Sequence, residues 1–240
     1  MDVYKLDNIA DILAGNSYAG RGIVIGKSAD GDNSVIAYFI MGRSNNSRNR
    51  VFVKEGDDVT IYPYDESLVE DPSLIIYSPI RVYTDKVVVT NGDQTDTIVD
   101  GLKLGKDMRE SLKSRCFEPD APNLTPRISG ILEYGEGDFE YAMSILKSAD
   151  REGSACSRYT YDYPSLAGVG HFIHTYVTDG NPLPTFQGEP ERVSIPDDID
   201  LFTTSIWDNL DKDNRISLYV RYTSLESGEY VDRLINKHLK

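Results

Sequence analysis

The apolar run from Val35 to Met41 alternates too little for a half-exposed strand and predicts a buried one early in the chain. Before it stand the turn-formers Ala29-Asp30-Gly31-Asp32-Asn33 and the glycine-flanked apolar stretch Gly20-Arg21-Gly22-Ile23-Val24-Ile25-Gly26-Lys27-Ser28. A turn of this composition between two such runs pairs residues 22–28 with residues 34–41 as a long hairpin. The glycine spacing comes near a dinucleotide-binding fingerprint. That motif needs a strand before the glycines and a helix after them, whereas here a β-branched strand follows, which excludes it.

Behind the hairpin, Gly42–Arg50 gathers three arginines and five Ser or Asn side chains into nine residues, and Val51-Phe52-Val53 then resumes the strand pattern. Guanidinium forks grip phosphate in bidentate fashion, and Ser, Asn and loop amides fill the remaining oxygens. A solvated, basic hairpin end is the other reading of the same stretch. The formal net charge of −14 argues against bulk binding of nucleic acid or anionic membrane, so an anionic ligand must be small and met by a local patch.

At 240 residues the chain suits one large domain, and no repeat or linker divides it. No stretch approaches the ~20 apolar residues of a membrane span. The N-terminal Met1–Asp7 is acidic and lacks the apolar core of a signal peptide. Two cysteines, Cys116 and Cys156, make no disulfide framework, and a cytoplasmic location is expected.

Along the chain, residues 2–14 have helical spacing through Leu6, Ile9, Ile12 and Leu13. Strands are expected over 59–64 and 73–90, including Leu74-Ile75-Ile76-Tyr77, with a turn at Thr84-Asp85. Turn-formers at 91–96 break the pattern, and a helix is expected over 105–116. A proline-rich loop from Glu118 to Pro126 leads into a strand at 127–132. Further strands are expected near 139–148, 157–161 and 171–177, then a loop at 179–190. A helix near 197–210 and a hairpin over 216–224 and 229–236 close the chain. The fold class is α+β, a single domain over 1–240 with extensive antiparallel sheet.

Few constellations carry chemistry by spacing alone. His171 and His174 fall on opposite faces of a strand and cannot jointly ligate a metal without a bulge. Cys116 follows Arg115, but no histidine is near in sequence, and a structural thiol is the simpler reading. The polar residues Arg50, Tyr77, Arg81, Asn91, Gln94, Glu118, Asn123, Thr125 and Arg127 all lie at expected strand ends or in loops, where sites are built. Taken singly, each also fits an ordinary turn, core or surface role. Composition and spacing lead as far as an anion-binding α+β domain.

Several segments resemble the archaeal-type IMP cyclohydrolases and their bacterial relatives. They are Gly20-Arg21-Gly22, Arg43-Ser44 with Asn49-Arg50, Tyr77-Ser78-Pro79-Ile80-Arg81, the run Val89–Ile98 (VTNGDQTDTI), and Phe117-Glu118 leading into Leu124–Ile128 (LTPRI). Beyond residue 131 the likeness is to the bacterial members, through Ser144–Ser148, GHFIHTY and Asp179–Pro184.

The resemblance implies a four-layer αββα sandwich with two stacked antiparallel sheets, similar to the N-terminal-nucleophile hydrolases. It implies closure of formamidoimidazole-carboxamide ribonucleotide (FAICAR) to IMP and water, the last step of purine synthesis, with no metal or organic cofactor. A chain opening on Met1-Asp2 with helix-like sequence disfavours an N-terminal nucleophile. The resemblance places Arg50, Tyr77 and Glu118 at the reacting centre, with Glu118 as proton carrier. Asn91 would orient the carboxamide, and Arg21, Arg43 and Arg127 would hold phosphate and ribose. A homo-oligomer is compatible with this reading. A non-catalytic purine-nucleotide-binding module and an amide hydrolase of related fold are the alternatives.

Overall fold

The computed structural model describes residues 2, 4–69 and 76–238. The expected hairpin forms from β1 (Arg21–Lys27) and β2 (Asn33–Met41), antiparallel with Ile23 opposite Tyr38 and Ile25 opposite Ile36. β10 (Val169–His174) and β11 (Glu191–Ser194) extend it on the β1 side, and β12 (Arg215–Ser224) and β13 (Tyr230–Asn236) on the β2 side. The order of this six-stranded sheet is β11-β10-β1-β2-β12-β13.

The second sheet runs β3-β4-β5-β6-β7-β8-β9 and has seven strands. They are β3 (Val51–Glu55), β4 (Asp58–Tyr62), β5 (Tyr77–Tyr83), β6 (Lys86–Thr90), β7 (Arg127–Tyr134), β8 (Phe139–Ser148) and β9 (Cys156–Pro164). Its strands follow the chain in order, with β6 and β7 joined through the helical segment 91–126. Leu74 and Ile75, expected at the start of β5, lie outside the described residues.

Three apolar clusters define four layers. Between the sheets, Ile23, Ile25 and Tyr38 meet Phe52, Val89, Ile128 and Ile145. On the outer face of the six-stranded sheet, α1 (Ile9–Leu13) and α5 (Ile199–Asn209) bury Ile9, Leu13, Phe202 and Ile206 against Val24, Phe39 and Val220. On the outer face of the other sheet, α3 (Gln94–Lys103) and α4 (Met108–Ser111) bury Ile98, Val99 and Met108 against Val88, Ile131 and Leu146. Alternation along each strand sends successive side chains to opposite faces, so both faces of each sheet are apolar and both need cover. This is the αββα sandwich that the resemblance implied. Among the described residues no helix is long and apolar enough to cross a membrane.

The helices depart from the sequence expectation. The first is a single turn capped by Asn8, whose Oδ1 accepts from the Ala10 N–H at 2.9 Å; the described residues before it are not helical, and Asp7 bridges Val193. The helix expected over 105–116 reduces to α4 and a 3-10 turn at Leu112–Ser114. The main helix of that layer, α3, instead begins inside the turn-forming stretch at 91–96. Its residues favour a turn locally, and the apolar stripe Ile98, Val99 and Leu102 decides for a helix only once a sheet lies beneath it.

Gly130 of β7 faces β1 across the inter-sheet core. A Cβ at Gly130 would stand 2.5 Å from Ile25 Cδ1 and 3.1 Å from Val89 Cγ1. Gly130→Ala is therefore expected to destabilise the chain by about 1–3 kcal/mol in urea unfolding. Ile25→Val removes the opposing methyl group, so the double variant should lose less than the sum of the singles; strict additivity would show that the contact is not the cause.

Candidate active site

The site residues gather at one end of the sandwich, where strands begin or end. Arg21 opens β1, directly after Gly20. That glycine has φ +80°, and a Cβ there would stand 2.1 Å from Thr175 Oγ1, so only glycine fits. The Arg21 N–H donates to Thr175 Oγ1 (3.1 Å) and its carbonyl accepts from the Thr175 N–H (3.0 Å). The backbone of Arg21 is thus fixed by the segment that follows β10.

Arg50 stands just before β3. Its loop is anchored by buried Asn49, whose amide donates to Asp65 O and whose Oδ1 accepts from the Asp65 N–H, both at 2.7 Å. Tyr77 opens β5; its hydroxyl donates to Asn91 O at 2.8 Å and lies 3.4 Å from the buried Tyr38 hydroxyl. Glu118 lies in the loop before β7, held by its N–H donating to Thr125 O at 2.8 Å. The same loop is tied across the sheets by a chain in which the Thr125 hydroxyl donates to Asp120 and is bonded to the Tyr176 hydroxyl.

Arg21, Arg50, Tyr77 and Glu118 converge on one another. Among the described residues the buried Nε atoms of Arg21 and Arg50 have no hydrogen-bond partner. Among the described residues neither guanidinium has a carboxylate ion pair, and the cation paired with Glu118 is Arg127 at 4.0 Å. Leaving a buried donor unsatisfied costs about 1–3 kcal/mol, and more for a charged one, so two adjacent unpartnered guanidinium groups are the mark of a place for an anion. Burial and the neighbouring Arg21 cation pull Arg50 below the usual guanidinium range. Burial also pushes the Glu118 carboxyl above the usual carboxylate range, against the opposing pull of Arg21, Arg127 and Arg50. The Tyr38 hydroxyl is driven well above an ordinary phenol, first by burial and then by Tyr77, and stays a hydrogen-bond donor. The arrangement offers cationic and hydroxyl donors around a carboxyl group that burial makes less acidic than usual. Such a set can receive an oxyanion and pass a proton.

Residues 18–228 match a family described as IMP cyclohydrolase-like protein. The chain belongs to that family. Among its relatives is the IMP cyclohydrolase of Methanopyrus kandleri, 35% identical over 152 residues, or 59% of this chain and 75% of the relative. The IMP cyclohydrolase of Methanococcus maripaludis strain S2 is 36% identical over 130 residues, 52% of this chain and 62% of that protein. That of Methanocella arvoryzae is 38% identical over 120 residues, covering 48% and 57%. The chain thus spans about three-fifths of the length of these last two relatives.

The remaining expected residues are placed differently from one another. Arg127 is half-buried, and its Nη1 donates to Asp93 Oδ1 (2.8 Å) and Gln94 Oε1 (2.7 Å). Asn91 is buried and fully engaged: its amide donates to Pro126 O, and its Oδ1 accepts from Gln94 Nε2 and the Ile128 N–H, each at 2.9 Å. It holds the end of β6 against the start of β7. Arg43 pairs with Asp179, donates to Gly180 O at 2.8 Å and lies over the Tyr18 ring at 5.1 Å, outside the Arg21–Arg50 group. Arg48 donates to Gly42 O (3.0 Å) and Asn214 Oδ1 (2.9 Å). The three arginines of Gly42–Arg50 therefore form no single phosphate grip.

Tyr38, Thr175 and Tyr176 were not singled out from the sequence. Tyr38 lies inside an apolar strand, and the other two close the GHFIHTY segment, in which only the histidines drew a chemical reading. The histidines serve elsewhere, on opposite faces as expected. His171 stacks on Tyr163 at 3.6 Å and is pushed down to about 4 by burial and by Arg192; His174 donates from Nδ1 to Tyr176 O at 2.7 Å. A cleft of about 330 Å³ beside His171 is lined by Met108, Ile131, Tyr141 and Tyr163 and by none of Arg21, Arg50, Tyr77 and Glu118, so concavity points elsewhere than the expected residues do.

Glu118 generates a pH test. A carboxyl raised in the folded state contributes stability that is full below its unfolded value, about pH 4, and is lost as pH rises through the folded value. The stability of Glu118→Gln relative to the wild type should therefore shift in favour of the variant as pH rises above about 4. Parallel stability curves in urea across that range would show that Glu118 titrates as an ordinary surface carboxyl.

Proposed function

We propose that this chain closes the ring of FAICAR, releasing water and giving IMP. The observation that carries the reading is the pair of unpartnered guanidinium groups, Arg21 and Arg50, beside a carboxyl group that burial holds towards its protonated form. Family membership supplies the reaction, and this local set suits it. The formal net charge of −14 fits a small anionic ligand met by a local patch, not a nucleic acid.

In the reaction the carboxamide nitrogen attacks the neighbouring formyl carbon, a tetrahedral oxyanion forms, and the former formyl oxygen leaves as water. Both groups sit on one ring, so holding a near-attack rotamer supplies much of the acceleration. The developing oxyanion needs donors, each worth roughly 3 kcal/mol when well placed. Arg50 and Arg21 fill that role, joined by Tyr77 once its hydroxyl turns from Asn91 O to the substrate. Glu118 carries protons: it gives one to the formyl oxygen and takes one back from the attacking carboxamide nitrogen, while the formamido nitrogen supplies the second proton of the departing water as the C–O bond breaks. Arg43, at the rim, and Arg127, beside Glu118, contribute to binding the ribose phosphate. Asn91 acts by fixing the strand ends on which Tyr77 and Arg127 stand.

Three results test this. Purified protein should convert FAICAR to IMP, and binding of IMP without any turnover would favour a non-catalytic nucleotide-binding module. Glu118→Gln keeps size and hydrogen bonding but abolishes proton exchange, so kcat should fall by about 10²–10⁴ with KM little changed. Arg43→Ala, which removes uniform binding only, should raise KM and spare kcat.

The phosphate gives an independent readout. IMP should inhibit far better than inosine, since charged hydrogen bonds are worth about 1.5–3 kcal/mol each. Equal inhibition by nucleotide and nucleoside would leave these arginines without a ligand role.

A further inference from the structure

The two cysteines, 40 positions apart in sequence, come together beside the Glu118 loop. Cys116 is exposed and Cys156 half-buried, and both are free thiols. Cys156 opens β9, and its thiol donates to Ser157 O at 3.6 Å on the side of the sheet where the Cys116 segment lies. The backbone around them is held by one side chain: Arg158 of β9 donates to Cys156 O (3.2 Å), to Lys113 O (3.4 Å) and to Arg115 O. The turn that leads into β9 packs on the same loop. A Cβ at Gly153 would stand 3.2 Å from Leu124 and 3.5 Å from Phe117. Glu118 is the second residue after Cys116, and its own N–H is bonded to Thr125 O within that loop.

We infer that Cys116 and Cys156 form a redox-sensitive pair, which a small-molecule disulfide converts to a cystine joining the Glu118 loop to β9 and slowing turnover. The exposed Cys116, as thiolate, attacks one sulfur of the disulfide and releases the other half as a thiol. Cys156 then gives up its proton and attacks the Cys116 sulfur, expelling the second thiol. Two protein thiols are oxidised and one external disulfide is reduced to two thiols. Cys116 is exposed, whereas burial and then the Cys116 thiol push Cys156 up, so the first attack falls to Cys116. A cystine demands an S–S length of about 2.05 Å and a fixed dihedral, so it draws residue 116 onto β9 and shifts Glu118 relative to Arg21 and Arg50. Misplacement on the order of 1 Å costs about 10²-fold in rate.

The effect on turnover rests on the ring-closure reading above; the cross-link does not. The full chain, reduced and then incubated with excess oxidised glutathione, should lose both thiols. Non-reducing peptide mapping should join the peptides that hold Cys116 and Cys156, FAICAR turnover should fall about tenfold or more, and dithiothreitol should restore it. Cys156→Ser should keep the turnover of the reduced wild type and form no internal link. Thiols that stay free, or that carry glutathione without joining, would overturn the pairing. A joined protein with undiminished turnover would overturn the control of Glu118. A reduced protein that joins its thiols but never closes the ring would fault the reaction and leave the thiol pair standing.

Discussion

Two antiparallel sheets packed face to face have to supply apolar side chains for both inner faces, and the rest of this molecule follows from that demand. Ile23, Ile25 and Tyr38 on one sheet and Phe52, Val89 and Ile145 on the other are removed from water together. Each such side chain contributes about 1.5–3 kcal/mol on burial. The strands alternate, yet their outer faces are also apolar, so a helical layer is needed on each side. The edges are joined as well. The Asn236 side chain of β13 accepts from the Phe52 N–H at 2.8 Å and donates to Phe52 O at 2.9 Å, so β3 is tied to the other sheet.

The same packing sets the electrostatics of the site. Arg21, Arg50 and Tyr77 stand where strands begin, at the rim of the inter-sheet core, so their polar groups are drawn out of water while their chain positions are fixed. A guanidinium held there without a carboxylate is a cost carried by the folded protein, offset by the core behind it. Around that cost the chemistry becomes possible. Glu118 is held towards its protonated form by burial, although three arginines oppose it. The loop that carries Glu118 is braced on one side by Thr125, Asp120 and Tyr176, and on the other by Arg158 and the turn at Gly153. Its position is therefore sensitive to both sheets.

Much of the sheet was legible locally. The β1–β2 hairpin follows from Ala29–Asn33 between two apolar runs, and the closing β12–β13 hairpin and α5, capped by Asp198, lie close to their expected bounds. These signals are short-range: turn chemistry, capping and period. β11 was passed over because four residues, 191–194, carry too little pattern. For α3 the local signal was misleading, because residues 91–96 favour a turn on their own and the burial of Ile98 and Val99 overrides that preference.

The site divides along the same line. The sequence by itself determined the hairpins, the sheet-rich class and the family, and with the family the short list that includes Arg50, Tyr77 and Glu118. Only the tertiary structure decided which members of the list meet. It sends Arg43 to Asp179 and Arg48 to Asn214, and among the described residues leaves the buried Nε atoms of Arg21 and Arg50 without a partner near Glu118. It also brings in Tyr38 and Tyr176, and sets Cys156 against Cys116. The reason is physical. Turn and strand preferences are properties of neighbouring residues, but whether a charge finds a partner depends on which remote strand ends are folded against it.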